Sequence, residues 1–88
     1  MHYMTIWTYP PANSKAVIER FQETGALPPE GITLHARWFD VAAGRGFAIS
    51  ETEDPVAIVK WVRDWSDLMS FEVIPVVNDE QLVAGLAG

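Results

Sequence analysis

Ile32-Thr33-Leu34-His35-Ala36-Arg37-Trp38-Phe39, followed after Asp40 by Gly44-Arg45-Gly46 and then Phe47-Ala48-Ile49-Ser50-Glu51, is the stretch that decides the architecture. Ile32, Leu34, Ala36 and Trp38 alternate with Thr33, His35, Arg37 and Phe39, the period-two pattern of a strand with two distinct faces. Gly44 and Gly46 tolerate the positive φ of a tight turn, and Phe47 to Glu51 resumes extended propensity. The pair therefore reads as a β-hairpin at the centre of the chain.

Upstream of the hairpin, His2 to Tyr9 is rich in β-branched and aromatic residues and stops at Pro10-Pro11, which lack the N–H groups a strand ladder needs. Asn13 or Ser14 then opens a helix that ends near Gly25, with Val17, Ile18 and Phe21 on one apolar face. Downstream, Asp54-Pro55 is a helix start: aspartate caps free amides, and proline at the first helical position loses no hydrogen bond. The spacing predicts a helix to about Leu68. Its apolar stripe is Ile58, Trp61, Val62, Trp65 and Met69, and its outer face offers Lys60/Asp64 and Arg63/Asp67 pairs. Phe71 to Val77 reads as a last strand whose Pro75 suits a sheet edge, and Asp79 to Ala87 as a short C-terminal helix.

The resulting order, βαββαβ, is that of a ferredoxin-like α+β domain spanning residues 1–88: a four-stranded antiparallel sheet with two helices on one face. The composition agrees with one small domain and narrows its partners. The 88 residues carry a net charge of −6 and no cysteine, which removes disulfides and thiolate metal sites and argues against nucleic acid. No apolar run approaches the roughly 20 residues of a membrane span, and the first residues lack a basic start and a cleavage site, so a cytoplasmic location is expected. The sheet face away from the helices should be polar in a monomer. Whichever parity points inward, however, strand one offers Met4 and Ile6 or Tyr3, Thr5 and Trp7, and strand four Phe71, Val73 and Pro75 or Ile74 and Val76. Apolar mass on both faces predicts a homodimer, its sheets packed face to face or closed into a barrel.

The runs Arg37-Trp38-Phe39-Asp40, Gly44-Arg45-Gly46-Phe47, Glu51-Thr52-Glu53-Asp54-Pro55, Trp61, Trp65-Ser66-Asp67-Leu68 and Phe71-Glu72-Val73-Ile74-Pro75-Val76 cover nearly the whole chain. They resemble a small bacterial family of domains of unknown function. That family is similar in topology to the dimeric α/β-barrel superfamily, which includes antibiotic-biosynthesis-type monooxygenases, muconolactone isomerase-like proteins and stress-responsive barrel proteins. The resemblance implies a fold and a dimer; it assigns no catalytic residue.

Among the residues themselves, His35 and Arg37 are the candidates for chemistry. Regular alternation places them with Thr33 on the strand face opposite Leu34 and Trp38, whose side is expected under the helices. A histidine beside a guanidinium could act as base and anion anchor, or the two could form structural hydrogen bonds with acids such as Glu72. Together with Tyr3 and Trp7 they would line a ligand-binding cavity in the barrel. Trp38, Trp61 and Trp65 are expected in the core. Glu51, Glu53 and Asp54 read as solvated charge and a helix cap, and His2 has no HxH or HxxxH partner, so neither a metal nor a cofactor is expected. No serine lies in a nucleophile elbow, which argues against a hydrolase. The leading expectation is a homodimer that is non-catalytic or binds a small hydrophobic ligand. The alternatives are a cofactor-independent monooxygenase or isomerase acting on a hydrophobic or phenolic metabolite, and a protein-interaction subunit.

Overall fold

The central hairpin forms where the alternation places it. In the computed structural model, which describes residues 1–88, β2 (Thr33–Asp40) pairs antiparallel with β3 (Arg45–Glu51). Asp40 closes the turn, accepting from the Ala43 amide at 3.2 Å and from Arg45 Nε at 2.9 Å. The Arg45 hydrogen bond, followed by the Ala43 amide, holds the Asp40 carboxyl below the usual carboxylate range. β1 (His2–Thr8) lies between β3 and β4 (Ser70–Val76), antiparallel to both, so the strand order is β2-β3-β1-β4. Pro75 accordingly falls on an edge strand, where its missing donor is tolerated. Two βαβ-type halves joined by the hairpin make the ferredoxin-like α+β fold that the element order predicts.

Both long connections are helices on one sheet face. A short 3₁₀ turn (Pro11–Asn13) leads into α1 (Ser14–Thr24), which ends at Gly25 in the left-handed region, φ 68°. The Gly25 amide donates to Phe21 O, satisfying a terminal carbonyl. Asn13 precedes the helix but does not cap it; its Nδ2 donates across to Leu68 O at 2.9 Å, tying the helix start to the end of the second connection. α2 (Pro55–Arg63) begins as predicted, with Asp54 Oδ1 accepting from the Val56 amide at 3.0 Å. It is shorter than the apolar stripe suggests. Beyond Arg63 the chain continues in turns, with Trp65 O accepting from Leu68 and Met69.

The predicted Lys60/Asp64 and Arg63/Asp67 pairs do not form. Asp67 instead takes a two-pronged hydrogen bond from Arg20 of α1, at 2.7 and 2.8 Å, because the turn after α2 carries it off the helix face and towards α1. Arg20 also lies 5.4 Å over the Trp65 ring and donates to Asp64 O. Both connections are thus clamped to one another at the surface.

The parity of the sheet is now settled. Thr5 and Trp7 of β1, Ala48 and Ser50 of β3 and Phe71 of β4 face the helices; His2, Met4 and Ile6, then Phe47, Ile49 and Glu51, then Glu72, Ile74 and Val76 face away. Trp7 and Trp65 are buried at 8% and 7% exposure. Trp38 is not in the core: it pairs with Phe47 on the uncovered face and is 61% exposed. α3 (Asp79–Leu86) starts with a reciprocal cap, Gln81 N to Asn78 Oδ1 and Asn78 N to Gln81 Oε1, yet leaves Leu82, Val83 and Leu86 exposed. No helix is long and apolar enough to cross a membrane.

Candidate functional site

The helices do not close down on the sheet. Between them lies a cavity of about 250 Å³, walled on the sheet side by Trp7, Phe39 and Ala48 and on the helix side by Phe21, Trp61 and Trp65. The predicted stripe of Ile58, Trp61, Val62, Trp65 and Met69 lines it throughout, so the amphipathic period of the second connection is spent on a cavity wall. Fifteen of the seventeen lining residues are hydrophobic, and the others are Thr5 and Arg37.

Arg37 is the one charged group in this wall. Its guanidinium sits 5.3 Å over the Phe21 ring and 5.6 Å over Phe39, and those rings meet edge to face with centroids 5.4 Å apart. Nη1 donates to Ala26 O at 2.7 Å and Nη2 to Gly25 O at 3.2 Å, fastening the left-handed exit of α1 to β2. Burial draws the guanidinium down from its ordinary value, although an arginine keeps its charge in proteins. Two of its five N–H donors are engaged in these bonds, which leaves donors for a ligand oxygen.

His35 is not in this wall. The pairing of β2 with β3 runs Leu34 to Ser50 and then Ala36 to Ile49, a bulge that makes His35 an extra residue. Arg37, opposite Ala48, therefore points to the helix side, whereas His35 Nε2 meets Glu51 Oε1 on the uncovered side at 2.9 Å. The expectation that His35 and Arg37 share a face with Thr33 is corrected by this bulge, and so is the placing of Trp38 with Leu34 under the helices. Of the four sequence candidates, Trp7 and Arg37 meet in the cavity. Tyr3 lies on the same sheet side but outside the cavity wall, its hydroxyl 3.7 Å from Met1 Sδ. Glu72, weighed as an acid for either residue, faces away from the helices and pairs with neither; His35 has Glu51 and Arg37 has two carbonyls.

The model of the domain of unknown function DUF3303 matches residues 1–88, the entire chain. The chain belongs to this family. Its fold is similar to that of the crystal structure of L-rhamnose mutarotase from Formosa agariphila, with a TM-score of 0.52 over 89% of this chain and 94% of that one at 16% sequence identity. No curated protein matches the chain.

Two features of the DUF3303 site escape sequence reasoning. The aromatic cage of Phe21 and Phe39 around Arg37 joins α1 to β2, and nothing in either segment alone announces it. The second is a cluster on the uncovered face, where His2 Nε2 also approaches Glu51 Oε1, at 3.5 Å. The His35 hydrogen bond, with His2 adding to it, pulls the Glu51 carboxyl below the usual carboxylate range.

Proposed function

We propose that this DUF3303 domain works as a homodimeric binding module whose cavity takes a compact apolar molecule carrying an anionic or hydrogen-bond-accepting end. The observation that carries the reading is a single charged group, a guanidinium with free donors, set in a wall that is hydrophobic but for Thr5. Ligand pockets are typically apolar with a few convergent polar groups and span roughly 300–1,000 Å³. A cavity of about 250 Å³ therefore suits a small ligand such as a monocyclic aromatic or short-chain acid. A monosaccharide is a poorer fit, because each of its hydroxyls would face hydrocarbon and lose a hydrogen bond to water. The wall holds no carboxylate or imidazole, and His35 lies across the sheet; binding is therefore the activity proposed.

The homodimer rests on a separate observation. Met4, Ile6, Phe47, Ile49, Ile74 and exposed Trp38 form a continuous apolar surface that no helix of the chain covers. α3 adds a second uncovered apolar stripe beyond β4, and the chain extends to 49 × 27 × 17 Å. A two-fold arrangement lets each chain's face and arm be covered by the same surfaces of the other, which fits a second copy as the occupant.

Tryptophan fluorescence tests the binding reading, since Trp7, Trp61 and Trp65 line the cavity. Titration with benzoate and hexanoate should shift emission saturably, the matching amides should bind at least about tenfold more weakly, and Arg37→Met should erase that preference. Equal weak responses to acids and amides in both proteins would refute it. Sedimentation equilibrium at micromolar concentration tests the dimer; a monomer at every loading concentration would refute that part alone.

A further inference from the structure

We infer that His2, His35 and Glu51 form a binding site for a divalent transition-metal cation of the zinc type. Their ligating atoms all lie within 4.8 Å of one another. Zinc binds imidazole nitrogen and carboxylate oxygen at about 2.0–2.2 Å, which places neighbouring ligand atoms about 3.0–3.5 Å apart around the ion. The two Nε2 atoms stand 2.9 and 3.5 Å from Glu51 Oε1, so two edges of such a triangle are already formed. The imidazoles stack with centroids 5.5 Å apart and planes 27° from parallel, turning the same nitrogen to the same oxygen. All three side chains are 32–44% exposed, so small rotations can close the third edge without disturbing packing.

The backbone builds this cluster at a specific cost in regularity. His2 opens β1 and Glu51 ends β3 directly opposite it, which accounts for two members. Counting from Leu34, opposite buried Ser50, alternation puts His35 on the uncovered face beside Glu51, and the bulge between Leu34 and Ala36 leaves it there without a partner across β3 while turning Arg37 to the helix side. Bulges are common next to functional sites. A single exposed Glu–His contact needs only one imidazole, and a second protonated imidazole 5.5 Å away would repel the first. Two neutral imidazoles and one carboxylate are a donor set that a divalent cation satisfies, leaving coordination positions open. The net charge of −6 draws cations to the chain as a whole.

The test uses the full chain without a polyhistidine tag, stripped with EDTA and desalted. Zinc titrated by calorimetry should bind at one ion per chain, and cobalt(II) should develop visible d–d absorption that zinc abolishes. His35→Ala and Glu51→Gln should each weaken zinc by at least the roughly 10–100-fold that outer-shell changes produce. Glu53→Gln, a nearby carboxylate outside the cluster, should leave binding unchanged. His2→Gln, at the start of β1, gives an independent reading should another variant fold poorly, as far-UV circular dichroism would reveal. Absence of saturable binding at one ion per chain, or wild-type affinity in His35→Ala and Glu51→Gln, would overturn the site. The cavity reading does not depend on this result, because Arg37→Met leaves all three ligands in place.

Discussion

His35 and Arg37, separated only by Ala36, lie on opposite faces of the sheet: Arg37 donates to Gly25 and Ala26 at the end of α1, and His35 meets Glu51 on the uncovered side. One inserted residue at the Leu34–Ala36 bulge causes this, since side-chain direction in a strand has a period of two and a single extra residue inverts it. The guanidinium in the cavity wall and the histidine cluster are therefore held on opposite sides of the sheet, each with its own surroundings.

Ser50 is fully buried and its Oγ has no hydrogen-bond partner. A buried hydroxyl without a partner costs about 1–3 kcal/mol, and alanine removes that cost while keeping the Cβ. Ser50→Ala should therefore raise stability by about 1 kcal/mol in urea denaturation. A loss of similar size would mean that the hydroxyl is paired in solution.

Trp65 and Trp38 should separate core from interface. Trp65 is 7% exposed beneath Arg20, and truncating a buried aromatic residue costs about 3–5 kcal/mol. Trp65→Ala should lose that much in chemical denaturation. Trp38→Ala, at 61% exposure, should cost the isolated fold under about 1 kcal/mol while weakening self-association in sedimentation equilibrium. Equal destabilisation by both variants would contradict the parity of β2.

Gly46 sits directly against the Trp7 indole in the buried layer of the sheet, where an added Cβ would overlap the ring. Trp7 cannot move freely, because it meets Phe39 edge to face at 5.9 Å. Gly46→Ala should cost about 1–3 kcal/mol through this overlap and move the emission of a cavity-lining tryptophan. Unchanged stability would show that the cavity absorbs the displaced indole.

The Arg20–Asp67 clamp predicts an acid response. Hydrogen bonding to Arg20 holds the Asp67 carboxyl below the usual range, and Asp67 in turn raises the Arg20 guanidinium. A carboxylate lowered by folding contributes stability that is fully present above its unfolded value near 3.9 and is lost as pH falls through the folded value. Melting temperature should fall below about pH 4 in the wild type, and Asp67→Asn should show a shallower fall. Identical profiles would mean that this exposed pair adds nothing, as happens for many surface ion pairs.

Local rules made the order of elements readable: alternation in β2, the Asp54-Pro55 start of α2, Gly25 at the end of α1, and Pro75 on an edge. Each is decided by a few neighbouring residues, through side-chain period, a cap or a missing donor. The faces were not readable in the same way. The bulge at His35 is a property of the pairing between two strands, and it alone moved Trp38 to the uncovered side and parted His35 from Arg37. The cavity and the His2–His35–Glu51 cluster belong to the same class, since each joins side chains from several elements whose proximity exists only once the strands are in register. Sequence alone determined the fold and the presence of apolar surface on both sides of the sheet; the tertiary structure decided which residues share a side, because register is a non-local choice that no single segment encodes.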